Sequence, residues 1–122
     1  MADCIFCKIV KGEIPKEFEY EDDLVVAFSD INPVAPVHIL IIPKEHIESI
    51  NELTEDLKGE KIAGRLIISA KKIAKEKGIA DDGYKLLFRT GQHGGQEVPH
   101  IHLHLIGGAR LSEGIHPLNQ SK

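Results

Sequence analysis

The chain has 122 residues, of which 42% are hydrophobic and 28% charged, with a formal net charge of −4. That suits one domain built around one core. It argues against a broad basic face for nucleic acid, and no apolar run approaches the roughly 20 residues of a membrane-spanning helix. The opening Met1-Ala2-Asp3-Cys4 is acidic and carries no secretory pattern. The expectation is a cytoplasmic protein whose two cysteines stay free thiols or bind a metal rather than pair.

Residues 4–11 are expected to form a short helix, ended by Gly12 and Pro15. Glu21-Asp22-Asp23 reads as a polar turn before a strand over 24–28. Pro33 and Pro36 break the chain, and an apolar run over 38–42 forms a second strand stopped by Pro43. Residues 51–78 hold the long helix. Thr54 is its expected cap, with Glu55 and Asp56 at the positive end of the dipole. Ile62, Ala63, Leu66, Ile67, Ala70, Ile73 and Ala74 repeat at helical spacing. Lys61, Arg65, Lys71, Lys72 and Lys75 fall mostly elsewhere, as a solvated face. Gly78 is the stop. Strands over 84–90 and 99–105 follow. The order indicates an α+β fold with a mostly antiparallel sheet.

The last strand carries the chemistry: His100-Ile101-His102-Leu103-His104-Leu105. Strand side chains alternate between faces. His100, His102 and His104 therefore share one face, while Ile101, Leu103 and Leu105 point into a core. Each imidazole is a base, nucleophile or metal ligand near neutral pH. Same-face neighbours lie about 6.6 Å apart, so the outer two are about 13 Å apart and one metal does not easily take all three. Either a metal takes two neighbours plus outside ligands, or the middle histidine works on a substrate while its neighbours orient it.

The loop before this strand runs Arg89-Thr90-Gly91-Gln92-His93-Gly94-Gly95-Gln96-Glu97-Val98-Pro99. Paired glycines let backbone N–H groups approach an anion closely. Alone they read as a plain turn; here they deliver the chain into the histidine strand.

A Gly-Gly-Gln loop running into His-x-His-x-His resembles the histidine triad (HIT) superfamily. Residues 4–15, 27–33, Ala35-Pro36-Val37-His38 and Ile42-Pro43-Lys44-Glu45-His46 resemble its Hint branch, in order along the chain. The likeness runs from about residue 4 to residue 108 as a single HIT domain, with 109–122 a less similar tail. It implies a HIT-like fold: a five-stranded antiparallel sheet with one long helix and one or two short ones. It also implies a homodimer whose sheets join across a two-fold axis.

The resemblance further implies a hydrolase of purine nucleoside 5′-phosphoramidates, of adenosine 5′-phosphoramidate type, releasing AMP. His102 would attack the α-phosphate to form a nucleotidyl-histidine, its second ring nitrogen donating to the His100 carbonyl. His104 would lie beside the phosphate or leaving group, and His38 would support the triad; His38 is otherwise a hydrogen-bonded histidine at a strand start. In the nucleotide site, Phe6 and Ile9 would contact the base, Asp30 the ribose hydroxyls and Ile31 the sugar or base. By default Phe6, Ile9 and Ile31 are core residues. Gly95, Gln96 and Glu97 would offer backbone N–H groups to the phosphate. Many Hint relatives have asparagine where this chain has Arg89, whose guanidinium either grips the phosphate or points away.

Cys4-x-x-Cys7 places two thiols on one helical turn, able to share a metal. Some HIT proteins with this pair hold structural zinc. Carried over by position, the ligands are Cys4, Cys7, His46 and His100, and the alternative is two buried thiols beside a surface His46. The chemistry itself would need no cofactor. Competing functions are hydrolysis of dinucleoside polyphosphates, a non-catalytic nucleotide-binding adaptor, and a metalloenzyme using the triad as ligands. The last lacks an evident carboxylate base.

Overall fold

In a computed structural model the described residues are 4–118; expectations for residues 1–3 and 119–122, the end of the tail included, lie outside them. Five strands form one antiparallel sheet: Tyr20–Glu21 (β1), Val25–Ser29 (β2), Val37–Pro43 (β3), Tyr84–Phe88 (β4) and Leu103–Gly107 (β5). Their order across the sheet is β1-β2-β3-β5-β4. A short helix, Ile5–Val10 (α1), a 3₁₀ turn, Ile50–Glu52, and a long helix, Leu57–Glu76 (α2), complete the fold. The expected α+β architecture with a five-stranded antiparallel sheet is what forms.

Both faces of this sheet are covered, and the period of two assigns each residue its side. Val25 and Ala27 of β2, Ile39 and Ile41 of β3, and Leu103 and Leu105 of β5 meet the apolar stripe of α2: Ile62, Leu66, Ala70, Ile73 and Ala74. Their alternates Val26, Phe28, Leu40 and Ile42 meet Phe6, Cys7 and Ile9 of α1. His38 and His104 sit in phase with this second set. The histidines therefore line the α1 side because isoleucine and leucine claim the α2 side.

Three local expectations change. The histidine strand begins at Leu103, not at residue 99. The first ladder partners of β5 are Ile41 and Phe88, both opposite Leu103. Ahead of that, the Ile101 N–H donates to the Ile47 carbonyl instead. The cap of α2 is Asp56 rather than Thr54: its carboxylate accepts from the Gly59 N–H at 3.0 Å, and the Thr54 hydroxyl braces that carboxylate at 2.6 Å. Arg65 does not stand on a solvated face. It reaches Asp22 at 3.1 Å and Asp23 at 2.9 Å, tying α2 to the β1–β2 turn. Strand β1 and the 3₁₀ turn, too short for any periodic signal, are additions. Gly78, with φ of 75°, does end α2.

Gly59, in the first turn of α2, is buried against the backbone of Thr54, and a Cβ there would collide with the Thr54 carbonyl. Alanine is the better helix former by about 1 kcal/mol. Gly59→Ala should nonetheless lower the melting temperature, because the capping loop must move. A raised melting temperature would show that propensity outweighs this contact.

Candidate active site

Strand β5 and the residues just ahead of it bring three imidazoles into two neighbouring centres. His102 faces a cleft of about 310 Å³, lined also by Asp30, Asn32, Val34, His38, Arg89, Gly95, Glu97, His104 and Ile106. Its Nδ1 lies 2.8 Å from the His100 carbonyl, which can only accept, so Nδ1 carries the proton. Nε2 therefore keeps its lone pair. Burial pushes the His102 pKa below its ordinary value, which keeps the ring neutral. A neutral imidazole with a directed lone pair is a nucleophile.

Beside it, the Val34 N–H donates to His38 Nδ1 at 3.2 Å. His38 then carries its proton on Nε2, which lies 3.0 Å from His104 Nδ1 and 3.4 Å from the Asp30 carboxylate. Asp30, His38 and His104 converge closely enough to resemble a metal site. The Val34 amide argues otherwise, because a metal on His38 Nε2 would force the proton to Nδ1, opposite another donor. The arrangement is a hydrogen-bond relay, not a ligand set. With Nδ1 accepting, His104 points its Nε2–H into the cleft, where Arg89 Nη1 lies 3.3 Å away.

His100 points the other way, into a cluster of Cys4, Cys7 and His46 whose donor atoms all lie within 4.8 Å of one another. His100 Nδ1 is 3.3 Å from Cys4 Sγ, 3.6 Å from Cys7 Sγ and 3.3 Å from His46 Nδ1; His46 Nδ1 is 3.2 Å from Cys7 Sγ. Bond lengths of a tetrahedral zinc site place sulfur and nitrogen ligands about 3.5 Å apart, and two nitrogens about 3.3 Å apart. The Pro43 carbonyl accepts from His100 Nε2–H at 2.8 Å, turning the Nδ1 lone pair toward the thiols. Without a cation, burial and the neighbouring Cys4 push the Cys7 thiol up to about 11. The cluster thus has the spacing and tautomer to hold a tetrahedral thiophilic ion.

Of the residues expected at the nucleotide site, Asp30, His38, Arg89, Gly95, Glu97, His102 and His104 meet at the cleft. Gln96 does not line it. Its side chain accepts from the Gly91 N–H at 2.9 Å and donates to the Glu48 and Val98 carbonyls at 2.6 and 2.9 Å. The Gly95 and Gln96 amides already donate to Gln92 and Gly91 carbonyls. The loop is thus held internally; of the three amides expected to face the phosphate, only that of Glu97 has no acceptor among the described residues. Phe6 is buried, with its ring edge 5.1 Å from His102 by centroids. Ile9 is buried in the α1 core, and Ile31 is 80% exposed. Asn32, Ile106 and the Val34 and Pro43 backbone groups were not foreseen. Backbone donors and acceptors leave no residue-type signal.

Burial, then the charges of His102, Arg89 and His38, hold His104 down to about 4, with Asp30 pulling the other way. An unfolded histidine titrates near about 6.5. Between these values the unfolded chain binds the proton and the folded chain does not. The stability contributed is therefore present above about pH 6.5 and lost as pH falls toward 4. His104→Gln should flatten this part of the melting-temperature profile. An unchanged profile would mean that His104 is charged in the folded state.

Residues 11–111 match the HIT domain. A purine nucleoside phosphoramidase of Escherichia coli (strain K12) is 53% identical over 107 residues, 88% of each chain. Among solved structures, a HIT family hydrolase from Legionella pneumophila is 46% identical with a TM-score of 0.87, over 92% of this chain and 98% of that one. A histidine triad protein from Clostridium difficile is also 46% identical, with a TM-score of 0.88 over 93% and 96% of the two chains. With its imidazoles ordered on one sheet face and its glycine loop beside them, the chain belongs to the HIT domain family.

Proposed function

We propose that the cleft hydrolyses purine nucleoside 5′-phosphoramidates, releasing the nucleoside monophosphate through a covalent intermediate on His102. The observation that carries this reading is the His100 carbonyl on His102 Nδ1, which leaves Nε2 free to attack phosphorus. The similarity to the Escherichia coli phosphoramidase supports the substrate class. His102 Nε2 bonds to the α-phosphorus as the bond to the leaving nitrogen breaks, the amine taking up a proton from solvent; water then attacks phosphorus, freeing neutral His102 and the nucleotide and returning a proton to solvent. His104 is placed to hydrogen-bond the phosphoryl or departing group, with His38 holding its orientation. Asp30 offers two acceptor oxygens to the ribose hydroxyls. Phe6, Ile9 and Ile31 belong to the base side, and the Glu97 amide to the phosphate.

Cys4, Cys7, His46 and His100 would hold a structural zinc ion. Two thiolates and two imidazoles make a closed shell that leaves no position for substrate. The ion would fix the amino-terminal segment against the catalytic strand. The assembly is a homodimer in this reading, paired through β4, the longer of the two edge strands of the sheet. The free, buried cysteines fit a reducing cytoplasm. No described helix is long and apolar enough to cross a membrane.

His102→Ala should abolish release of AMP from adenosine 5′-phosphoramidate while keeping the fold, and a quenched wild-type reaction should carry a nucleotidyl mass adduct. Near wild-type turnover in the variant would refute the assignment. For zinc, elemental analysis should find about one ion per chain if the four ligands form one closed site. Chelation under reducing conditions should lower thermal stability and raise KM more than it lowers kcat. Protein isolated without metal, fully active and unaffected by added zinc, would make the cysteines plain buried thiols.

A further inference from the structure

The placement of the Glu97 N–H is not settled by the loop that carries it. Glu97 lines the cleft, and its N–H has no acceptor among the described residues. The loop is closed by its own turns: the Gly95 N–H donates to the Gln92 carbonyl and the Gln96 N–H to the Gly91 carbonyl, both at 3.1 Å. Those bonds give the loop its shape. They do not set where it stands relative to His102.

The Gln96 side chain does. Its Oε1 accepts from the Gly91 N–H at 2.9 Å, and its Nε2 donates to the Val98 carbonyl at 2.9 Å and to the Glu48 carbonyl at 2.6 Å. A primary amide has two N–H donors and one oxygen, and all are engaged. Turning it over would set oxygen against two carbonyls, so one orientation satisfies all three partners. Among the described residues, the bond to Glu48 is the only hydrogen bond from residues 91–97 to a segment remote in sequence.

The anchor is shared with the histidine strand. The Ile47 carbonyl takes the Ile101 N–H at 2.8 Å, one residue before His102. The next carbonyl, that of Glu48, takes the Gln96 side chain, one residue before Glu97. The Val98 carbonyl joins the two, accepting from Gln96 Nε2 and, at 2.8 Å, from the His100 N–H. Ile47 itself is buried in the core under α2, so this segment is a fixed reference. His102 and the Glu97 N–H are thus both placed from residues 47–48.

Taking the cleft as the phosphoryl site set out above, we propose that Gln96 is a positioning residue for the reaction. It touches no substrate. It holds the Glu97 N–H where a phosphoryl oxygen gains charge as His102 attacks. A donor fixed there in advance stabilises the transition state more than the bound substrate. A displacement of about an ångström in such a group costs on the order of a hundredfold in rate. Stability depends on Gln96 far less. The side chain is half-buried and residues 91–95 and 97 are exposed, so water can take the groups released when it is replaced.

The test measures kcat and KM for AMP joined through its phosphate to an alkylamine, in wild type, Gln96→Met and Gln96→Glu. Methionine keeps the length of the side chain and removes all three hydrogen bonds. Glutamate keeps the acceptor for the Gly91 N–H but sets an oxygen against the Glu48 and Val98 carbonyls. Both variants should fold with melting temperatures near wild type. Both should lose about a hundredfold in kcat, as when one donor to the transition state is removed. KM should rise by less than about tenfold, the effect of one hydrogen bond in the ground state. Wild-type kcat in either variant would overturn the proposal. A second measurement does not depend on turnover: calorimetric binding of AMP and of adenosine. Gln96→Met should bind AMP about tenfold more weakly than wild type does, and adenosine equally well. Unchanged AMP affinity, or equal losses on both ligands, would make Gln96 a plain brace of the loop and overturn the inference. A wild type that binds AMP but leaves the phosphoramidate uncleaved would sink the hydrolase reading, while the AMP–adenosine comparison still decides what Gln96 places. A wild type that does not bind AMP would overturn both.

Discussion

The His100 carbonyl held against His102 Nδ1 at 2.8 Å is the contact on which the site depends. One residue does two things at once. Its backbone sets which nitrogen of the next triad histidine carries the proton. Its side chain enters the Cys4, Cys7 and His46 cluster, oriented by the Pro43 carbonyl at the end of β3. The tautomer of His102 therefore rests on a chain of contacts from β3 through His100 to the amino-terminal segment. A shift of the Cys/His cluster would move the His100 ring, and the carbonyl two bonds beyond its Cα would follow.

The electrostatics follow from burial. His38, His100, His102 and His104 are all buried, and burial lowers the pKa of each. Neutral imidazoles need directed partners more than counter-ions, and the fold supplies backbone groups: the His100 and Pro43 carbonyls and the Val34 amide. The net charge of −4 thus says little about the cleft, which gathers neutral rings, one carboxylate pair and an unpaired guanidinium. A negative net charge does not set the field inside the cleft, which depends on Arg89 and the N–H donors beside it.

The fold was legible wherever hydrophobic period spoke for itself. Alternation over 100–105 set the histidines on one face and Ile101, Leu103 and Leu105 on the other, and the stripe of α2 was readable from Ile62 to Ala74. What escaped was decided by single polar atoms. Asp56 and Thr54 are both good caps, and only the approach of the Gly59 amide chooses between them. The start of β5 depends on the Ile101 amide taking the Ile47 carbonyl, a partner far away in sequence. At the site, spacing marked His100, His102 and His104, while Asp30, His38 and Arg89 were expected there through the resemblance to the HIT superfamily. The side chain of Gln96, which staples the glycine loop to Glu48, was invisible because a glutamine reads alike as binder or brace.

The amino-terminal segment shows how a weak element becomes part of the candidate site. Helix α1 has six residues, too few to persist alone. Its capping group is the Cys4 sulfur, which accepts from the Cys7 amide at 3.3 Å, a poorer cap than an oxygen. What holds it is tertiary: Phe6 edge-on to Phe28, His100 and His102, and the two thiols in the histidine cluster. The same ring that anchors α1 also buries one side of His102, lowering its pKa by excluding water. The helix cannot be loosened without rehydrating His102. Stability of a six-residue helix and neutrality of the His102 imidazole are thus one packing event, and a tetrahedral ion at the thiols would strengthen both together.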